Sequence, residues 1–162
     1  MKLSAAQQDY LEVIYRLEET RGTGSVRISD IAEQLGTRLP TVSRTVAKLT
    51  GAGLLAHVSR GAVSLTADGK RAAAEVVHRH DDLTVFFRDV LGLDSDEAES
   101  NACQLEHGLS NKAAQRLHEF LDYLEQLDRE QRNIIMRFAR KASERTPDFR
   151  HLKYEKAGGW RV

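Results

Sequence analysis

The stretch ISDIAEQLGTRLPTVSRTVAKLTGAGLL, residues 28–55, decides how the rest of the chain is read. Ser29 is placed to cap a short helix carrying Ile31, Ala32 and Leu35, and Gly36 ends it. Pro40 then opens a second helix, at a position where its missing N–H costs nothing. Val42, Val46 and Leu49 follow at i, i+4 and i+7, which makes one apolar face. Gly51 and Gly53 close that helix. A short helix, a glycine turn and a second helix make a helix-turn-helix. Directly behind it, LLAHVSRGAVSLTADG (54–69) holds two β-prone runs around Arg60 and Gly61, the signal of a β-hairpin. A helix-turn-helix backed by a hairpin is a winged helix. The plainer alternative is a pair of helices followed by an unrelated hairpin.

On the N-terminal side, residues 4–20 read as a helix. Ser4 and Gln7 have capping-box spacing, and Tyr10, Val13, Ile14 and Leu17 form its apolar stripe. RGTGSV (21–26) then breaks the chain. On the C-terminal side, residues 67–91 read as one long helix with Val76, Val77, His80, Leu83, Phe86, Phe87, Val90 and Leu91 facing inward. It leaves the wing and links two domains. GLDSDEAES (92–100) interrupts it, and Asp94 with Glu97 starts a helix over about 95–108. Ser110 starts another, with Ala113, Leu117, Phe120, Leu121 and Leu124 as its stripe. Asp128 caps a last helix to about 142, basic outside, with Ile134, Ile135 and Phe138 inside. Pro147 and Gly158–Gly159 mark an irregular tail. The expected fold is therefore mainly α: a winged helix-turn-helix over 1–70, a helical domain over 71–127, and a basic helix and tail over 128–162.

The 162 residues suffice for one or two small domains with a real core. Hydrophobic content of 41% and charged content of 30% are those of a soluble globular protein. No apolar run is long enough to span a membrane, and MKLSAAQQDY lacks the apolar core of a secretory signal. A single cysteine fits a reducing cytoplasm. The net charge of zero hides an asymmetry. Residues 1–80 hold 11 basic and 8 acidic side chains, residues 81–128 hold 3 and 12, and residues 129–162 hold 10 and 4. Basic ends point to a polyanion, and an acidic middle rich in donor side chains points to cations.

Those donors have a pattern. In NACQLEHGLS (101–110), Cys103, Glu106 and His107 fall at i, i+3 and i+4, on one helical face. Taken alone, such a triplet is an ordinary solvated face. Asp9 and Glu12, also i and i+3, sit at the edge of the first helix's apolar stripe, where acids commonly face Lys or Arg. His80 lies on an apolar face, where a lone histidine is more often a hydrogen-bonded core residue. If the three elements converge, Asp9, Glu12, His80, Cys103, Glu106 and His107 form one set. Carboxylates packed so closely repel each other unless a cation joins them. Mixed O, N and S donors suit a first-row transition metal better than calcium or magnesium.

In the helix-turn-helix, recognition helix 40–50 presents Thr41, Ser43 and Arg44 toward base edges, and Arg44 suits a bidentate contact to guanine. Arg38, Thr45, Lys48 and the wing's Arg60 suit phosphates. Leu117, Phe120, Leu121 and Leu124 are read as a homodimer seam, with an internal core stripe as the alternative.

DYLEVIYRLEE, ISDIAEQL, PTVSRTVAKL, LTADGKRAAAEVVHRH, VLGLD and ACQLEHGLS, in order over residues 4–125, resemble the diphtheria-toxin-repressor family of metal-dependent transcriptional regulators, including its manganese transport regulator branch. The resemblance implies a two-domain form, a winged-helix DNA-binding domain followed by a helical dimerisation and metal-binding domain over 71–127, without the SH3-like third domain. It implies Mn²⁺ or Fe²⁺ as corepressor, with Co²⁺, Ni²⁺, Zn²⁺ or Cd²⁺ able to substitute in vitro. It also implies palindromic operator DNA as partner and control of metal-homeostasis genes. Its metal positions match Asp9, Glu12, His80, Cys103, Glu106 and His107. The manganese branch usually has a carboxylate at Cys103, and the iron branch usually has methionine at Asp9, so this chain combines both. The iron branch's second site uses an acid and a histidine where this chain has Thr84 and Glu99. No membrane partner, organic substrate or catalytic activity is expected. The rival reading is a metal-independent winged-helix regulator that senses redox state through Cys103.

Overall fold

A computed structural model describes residues 3–58 and 61–144. Arg60, Pro147 and the glycine pair of the expected tail lie outside the described residues. Helix α1 spans Ala5–Arg21. The capping box read from Ser4 and Gln7 is present: Ser4 Oγ accepts from Gln7 N–H, and Gln7 Oε1 accepts from Ser4 N–H. Helices α2 (Ile28–Gln34) and α3 (Leu39–Gly51) form the helix-turn-helix. Between them Gly36 takes φ +56°, a left-handed conformation that glycine reaches without steric cost. Ser29 does not cap α2. That helix starts two residues earlier than expected, with Arg27 in the cap position, and Asp30 Oδ2 accepts the Arg27 N–H.

The wing is larger than a hairpin. Strands β2 (Leu55–His57) and β3 (Ala62–Leu65) pair antiparallel, and β1 (Val26–Arg27) adds to the other edge of β3. β1 lies in the segment read as a chain break. Two residues are too few to show the alternation that marks a strand. Tyr10, Leu11, Ile14 and Leu17 of α1 are buried with Ile31, Val42, Val46, Leu49, Val63 and Leu65 in one core. Helix α1 is thereby built into the reading head. The buried Glu18 carboxylate ties it further, accepting from the Gly24 and Leu65 backbone N–H groups.

Helix α4 (Ala67–Val85) packs along α1 and continues into a π-helical turn over Phe86–Val90. The expected single helix to residue 91 is thus regular only to residue 85. The wide turn closes with Leu91 N–H on the Phe86 carbonyl and re-aims Phe86 toward Phe120, edge to face at 6.4 Å. Helices α5 (Ser95–Leu105), α6 (Asn111–Gln126) and α7 (Arg129–Ser143) complete the second half, capped by Asp94, Ser110 and Asp128. Helix α5 stops three residues short of the expected end, so Glu106 and His107 lie in the turn that follows it.

Helix α7 corrects one expectation. Ile134 and Phe138 are 65% and 57% exposed, while Ala139 is buried and Ile135 half-buried. The helix rests on the π-helical turn through Ala139, and its wider apolar face points outward. Gly92 makes that contact possible. It has φ +76°, and a Cβ there would stand 2.2 Å from the Ala139 carbonyl oxygen. Gly92→Ala is therefore expected to destabilise the protein by at least about 1–2 kcal/mol, the cost of a left-handed alanine alone. Chemical denaturation checks this, and an unchanged midpoint contradicts the contact.

Candidate metal centre and nucleic-acid surface

Helix α1 has two working faces. One is the core stripe of the reading head. The other carries Asp9, Glu12 and Arg16 at i, i+3 and i+7, toward α4 and the end of α5. At their meeting point lies Glu106, 1% exposed. Its Oε2 is 2.8 Å from His80 Nδ1, and its Oε1 is 3.2 Å from His107 Nε2. His107 Nε2 is also 2.6 Å from Asp9 Oδ1, a link between residues 98 apart in sequence.

Among the described residues, two groups offer donor atoms that all lie within 4.8 Å of one another: Asp9, Glu106 and His107, and Glu12, His80 and Glu106. Glu106 belongs to both. The structure thus brings together five of the six donor residues read from sequence. Cys103 stands apart from both groups, exposed, one helical turn before Glu106. Two neighbours were not picked out as donors. Glu99 Oε1 is 3.0 Å from His80 Nε2, and its other oxygen accepts from Thr84 Oγ1 at 3.5 Å. Arg16 donates to Glu12 at 2.9 Å and to Asp81 of α4 at 2.9 Å. An acid four residues before an arginine does hint at the Arg16–Glu12 pair. Nothing local announces Glu99.

The electrostatics record the crowding. Burial raises the Glu12 carboxyl above its ordinary range, and the charge of Glu106 raises it further, against the pull of Arg16. The hydrogen bond to Glu106 lifts His80 to about 9, over the opposing effect of burial, and the charges of Glu12, Glu106 and Glu99 add to the lift. Burial also raises the Cys103 thiol, and the charges of Glu106, Asp9, Glu12 and Glu99 reinforce it. A cluster of this kind, with a nearly buried carboxylate at its middle and oxygen and nitrogen donors on every side, fits a divalent ion. The cation would replace the protons that now hold the carboxylates together.

On the opposite side of the reading head, α3 presents Arg38, Thr41, Ser43, Arg44 and Lys48 as exposed side chains, and Thr45 half-buried. Arg38, Arg44 and Lys48 make no ion pair among the described residues. Of the expected seam on α6, Phe120 is exposed, Leu117 and Leu124 are half-buried, and Leu121 is buried within the protomer. Tyr123, at 60% exposure, shares the outward face without having been picked out.

A pH dependence follows from His80. Its ordinary value is 6.5 and its folded value about 9, so the folded state holds the proton more tightly than the unfolded chain. That stabilisation is complete below pH 6.5 and is lost as pH rises through 9. The melting temperature of the metal-free protein is expected to fall across this window, and His80→Asn to flatten the fall. Thermal scans with chelator check it, and an identical slope in the variant contradicts it.

The amino-terminal DNA-binding domain of iron-dependent repressors matches residues 2–63, and the metal-binding and dimerisation domain of iron-dependent repressors matches residues 66–135. The helix-turn-helix transcriptional regulator MntR of Bacillus pumilus is 30% identical over 87% of this chain and 94% of its own length. MntR of Bacillus subtilis is 31% identical over 80% of this chain and 89% of its own. Among solved structures, a manganese-dependent transcriptional repressor in complex with manganese superposes with TM-score 0.65 at 36% identity over 72% of this chain, and the manganese regulator SloR with 0.63 at 32% over 72%. This chain spans about half the length of those two, 53% and 54%. With both domain models matched in order and relatives of this identity along nearly their whole length, the chain belongs to the diphtheria-toxin-repressor and manganese-regulator family of metal-dependent transcriptional regulators, a class of DNA-binding regulators and not of enzymes.

Proposed function

We propose that this protein is a cytoplasmic, Mn²⁺- or Fe²⁺-dependent repressor that binds palindromic operator DNA as a homodimer and controls metal-homeostasis genes. The observation that carries the reading is the double membership of Glu106. One buried carboxylate shares a donor group with Asp9 and His107 and another with Glu12 and His80. Two of these residues, Asp9 and Glu12, belong to the helix built into the DNA-binding core.

When bound there, a divalent ion supplies the positive charge that lets these carboxylates stay ionised side by side. Asp9 and Glu12 hold it from α1, His80 from α4, and Glu106 and His107 from the turn after α5. Cys103, one helical turn before Glu106, would be the sulfur donor of the set. With donors from both halves engaged, α1 cannot part from α4 and α5. Recognition helix α3, which shares the buried core with α1 through Val42 and Val46, is then held in place relative to the dimerisation half. In a two-fold dimer this fixes the separation of two recognition helices against half-sites about 34–36 Å apart or a multiple of that. Thr41, Ser43 and Arg44 face the bases. Arg38, Thr45, Lys48 and Arg60 hold phosphates. Phe120, Leu117 and Leu124, with the buried Leu121 behind them, form the seam. The carboxylate-rich donor set favours Mn²⁺ over softer ions, and the cysteine extends tolerance toward Fe²⁺, Co²⁺, Ni²⁺, Zn²⁺ and Cd²⁺ in vitro.

The redox alternative is opposed by the setting of Cys103. Burial and four surrounding carboxylates disfavour the thiolate that a reactive cysteine needs.

The test is fluorescence anisotropy on duplex DNA selected from a random pool by the Mn²⁺-loaded protein. Chelation is expected to weaken binding roughly 5–150-fold. Glu106→Gln is expected to lose the metal response while keeping nonspecific binding at low salt. Equal operator affinity with chelator and with Mn²⁺ contradicts the proposal. The place of Cys103 has its own readout. Co²⁺ titration is expected to raise a thiolate-to-cobalt charge-transfer band in the near ultraviolet, absent in Cys103→Ser. A spectrum unchanged by the substitution removes the thiolate from the set.

A further inference from the structure

The two histidines of the cluster are held differently. In His80 the cluster-facing atom is Nδ1, and the outer nitrogen, Nε2, meets the Glu99 carboxylate at 3.0 Å. In His107 the order is reversed. Nε2 lies among the donors, 2.6 Å from Asp9 and 3.2 Å from Glu106. Nδ1 points out of the cluster and meets Gln8 Oε1 at 3.0 Å. Gln8 and Asp9 are consecutive residues of α1. Neighbours on a helix diverge by about 100°, so the pair straddles the imidazole and takes one ring nitrogen each.

The amide end that Gln8 presents is fixed. Its Nε2 donates to the Leu3 carbonyl at 3.3 Å, so a flip would sacrifice that bond and turn a donor toward the ring. Oε1 can only accept. The ring must therefore carry a hydrogen on Nδ1, and the neutral tautomer that keeps it frees the Nε2 lone pair for a cation, which would take the place of the hydrogen that Nε2 otherwise donates to Asp9. Ring orientation and tautomer are set by the same contact. The amide does this without a further negative charge beside Asp9, Glu12 and Glu106, in a place where burial and the charge of Glu106 already raise Glu12.

We infer that Gln8 is a positioning residue for the metal centre, which locks His107 with Nδ1 protonated and Nε2 presented to the ion. The inference rests on the reading of His107 as a metal ligand. A residue in the DNA-binding half thus orients a ligand contributed by the other half, across 99 positions of sequence. Outer partners of this kind typically carry 10–100-fold in metal affinity.

The experiment compares Mn²⁺ affinity, with the metal alone as probe, in the full chain and in Gln8→Leu, Gln8→Glu and His107→Ala, each confirmed folded by circular dichroism. Gln8→Leu is expected to weaken binding about 10–100-fold. Gln8→Glu keeps an acceptor at Nδ1 and is expected to restore affinity to the wild-type level or above. A long-range proton–nitrogen NMR spectrum of the diamagnetic Zn²⁺-loaded protein is expected to show His107 coordinated through Nε2 with its hydrogen on Nδ1, and Gln8→Leu to add a second population coordinated through Nδ1. Wild-type affinity in Gln8→Leu while His107→Ala loses binding overturns the role of Gln8 and leaves the metal centre standing. Wild-type affinity in His107→Ala overturns both. Coordination of His107 through Nδ1 overturns the inference outright.

Discussion

A carboxylate removed from water must find compensation within the protein, and Glu106 is almost wholly removed. Its compensation comes from two imidazoles, His80 on α4 and His107 beside it in sequence, and Asp9 and Glu12 on α1 complete the donor groups around them. In the metal-free protein a proton on His80 does part of this work, which is why that imidazole titrates so high. A proton and a divalent cation therefore compete for the same negative field. The arrangement favours whichever satisfies more of the carboxylates at once, and an ion with several coordination positions can reach more of them than a proton shared between two atoms.

The consequence for function lies in the two faces of α1. Its buried stripe is continuous with the core beneath the recognition helix and the wing, and Glu18 pins it to β3 through the backbone. Its polar face enters the acidic cluster. A change at Asp9 or Glu12 thus acts on a helix that shares its buried core with α3. The Arg16 bridge between Glu12 and Asp81 already joins α1 to α4 without metal, but Arg16 and Asp81 are substantially exposed, and such pairs contribute little. The account therefore places the decisive coupling in the buried donors.

Much of this was legible in the sequence. Gly36, Pro40 and the Val42–Val46–Leu49 stripe announce a helix-turn-helix because each acts through local backbone geometry or helical period. Ser4, Asp94, Ser110 and Asp128 announce helix starts for the same reason. Asp9, Glu12, Glu106 and His107 were found because acids and histidines at i, i+3 and i+4 spacing share faces, and His80 because it is a lone imidazole on an apolar face. The rest depended on partners far away in the chain. Strand β1 exists because β3 offers it an edge. The π-helical turn answers the packing of Phe86 and α7, not a local signal. Ile134 and Phe138 form an apolar stripe that looks inward by periodicity, yet Ala139 takes the contact because Gly92 allows the backbone so close. Glu99 and Gln8 are ordinary polar residues until the fold sets them against histidine nitrogens.

The central claim is that an ion shared through Glu106 joins the reading head to the helical half. Anomalous diffraction from crystals of the Mn²⁺-loaded protein tests it most directly. The account predicts manganese peaks at the Glu106 carboxylate, with donors from Asp9 or Glu12 on one side and His80 or His107 on the other. Manganese held by residues of one half alone, or a Glu106 carboxylate with no ion beside it, would contradict the account.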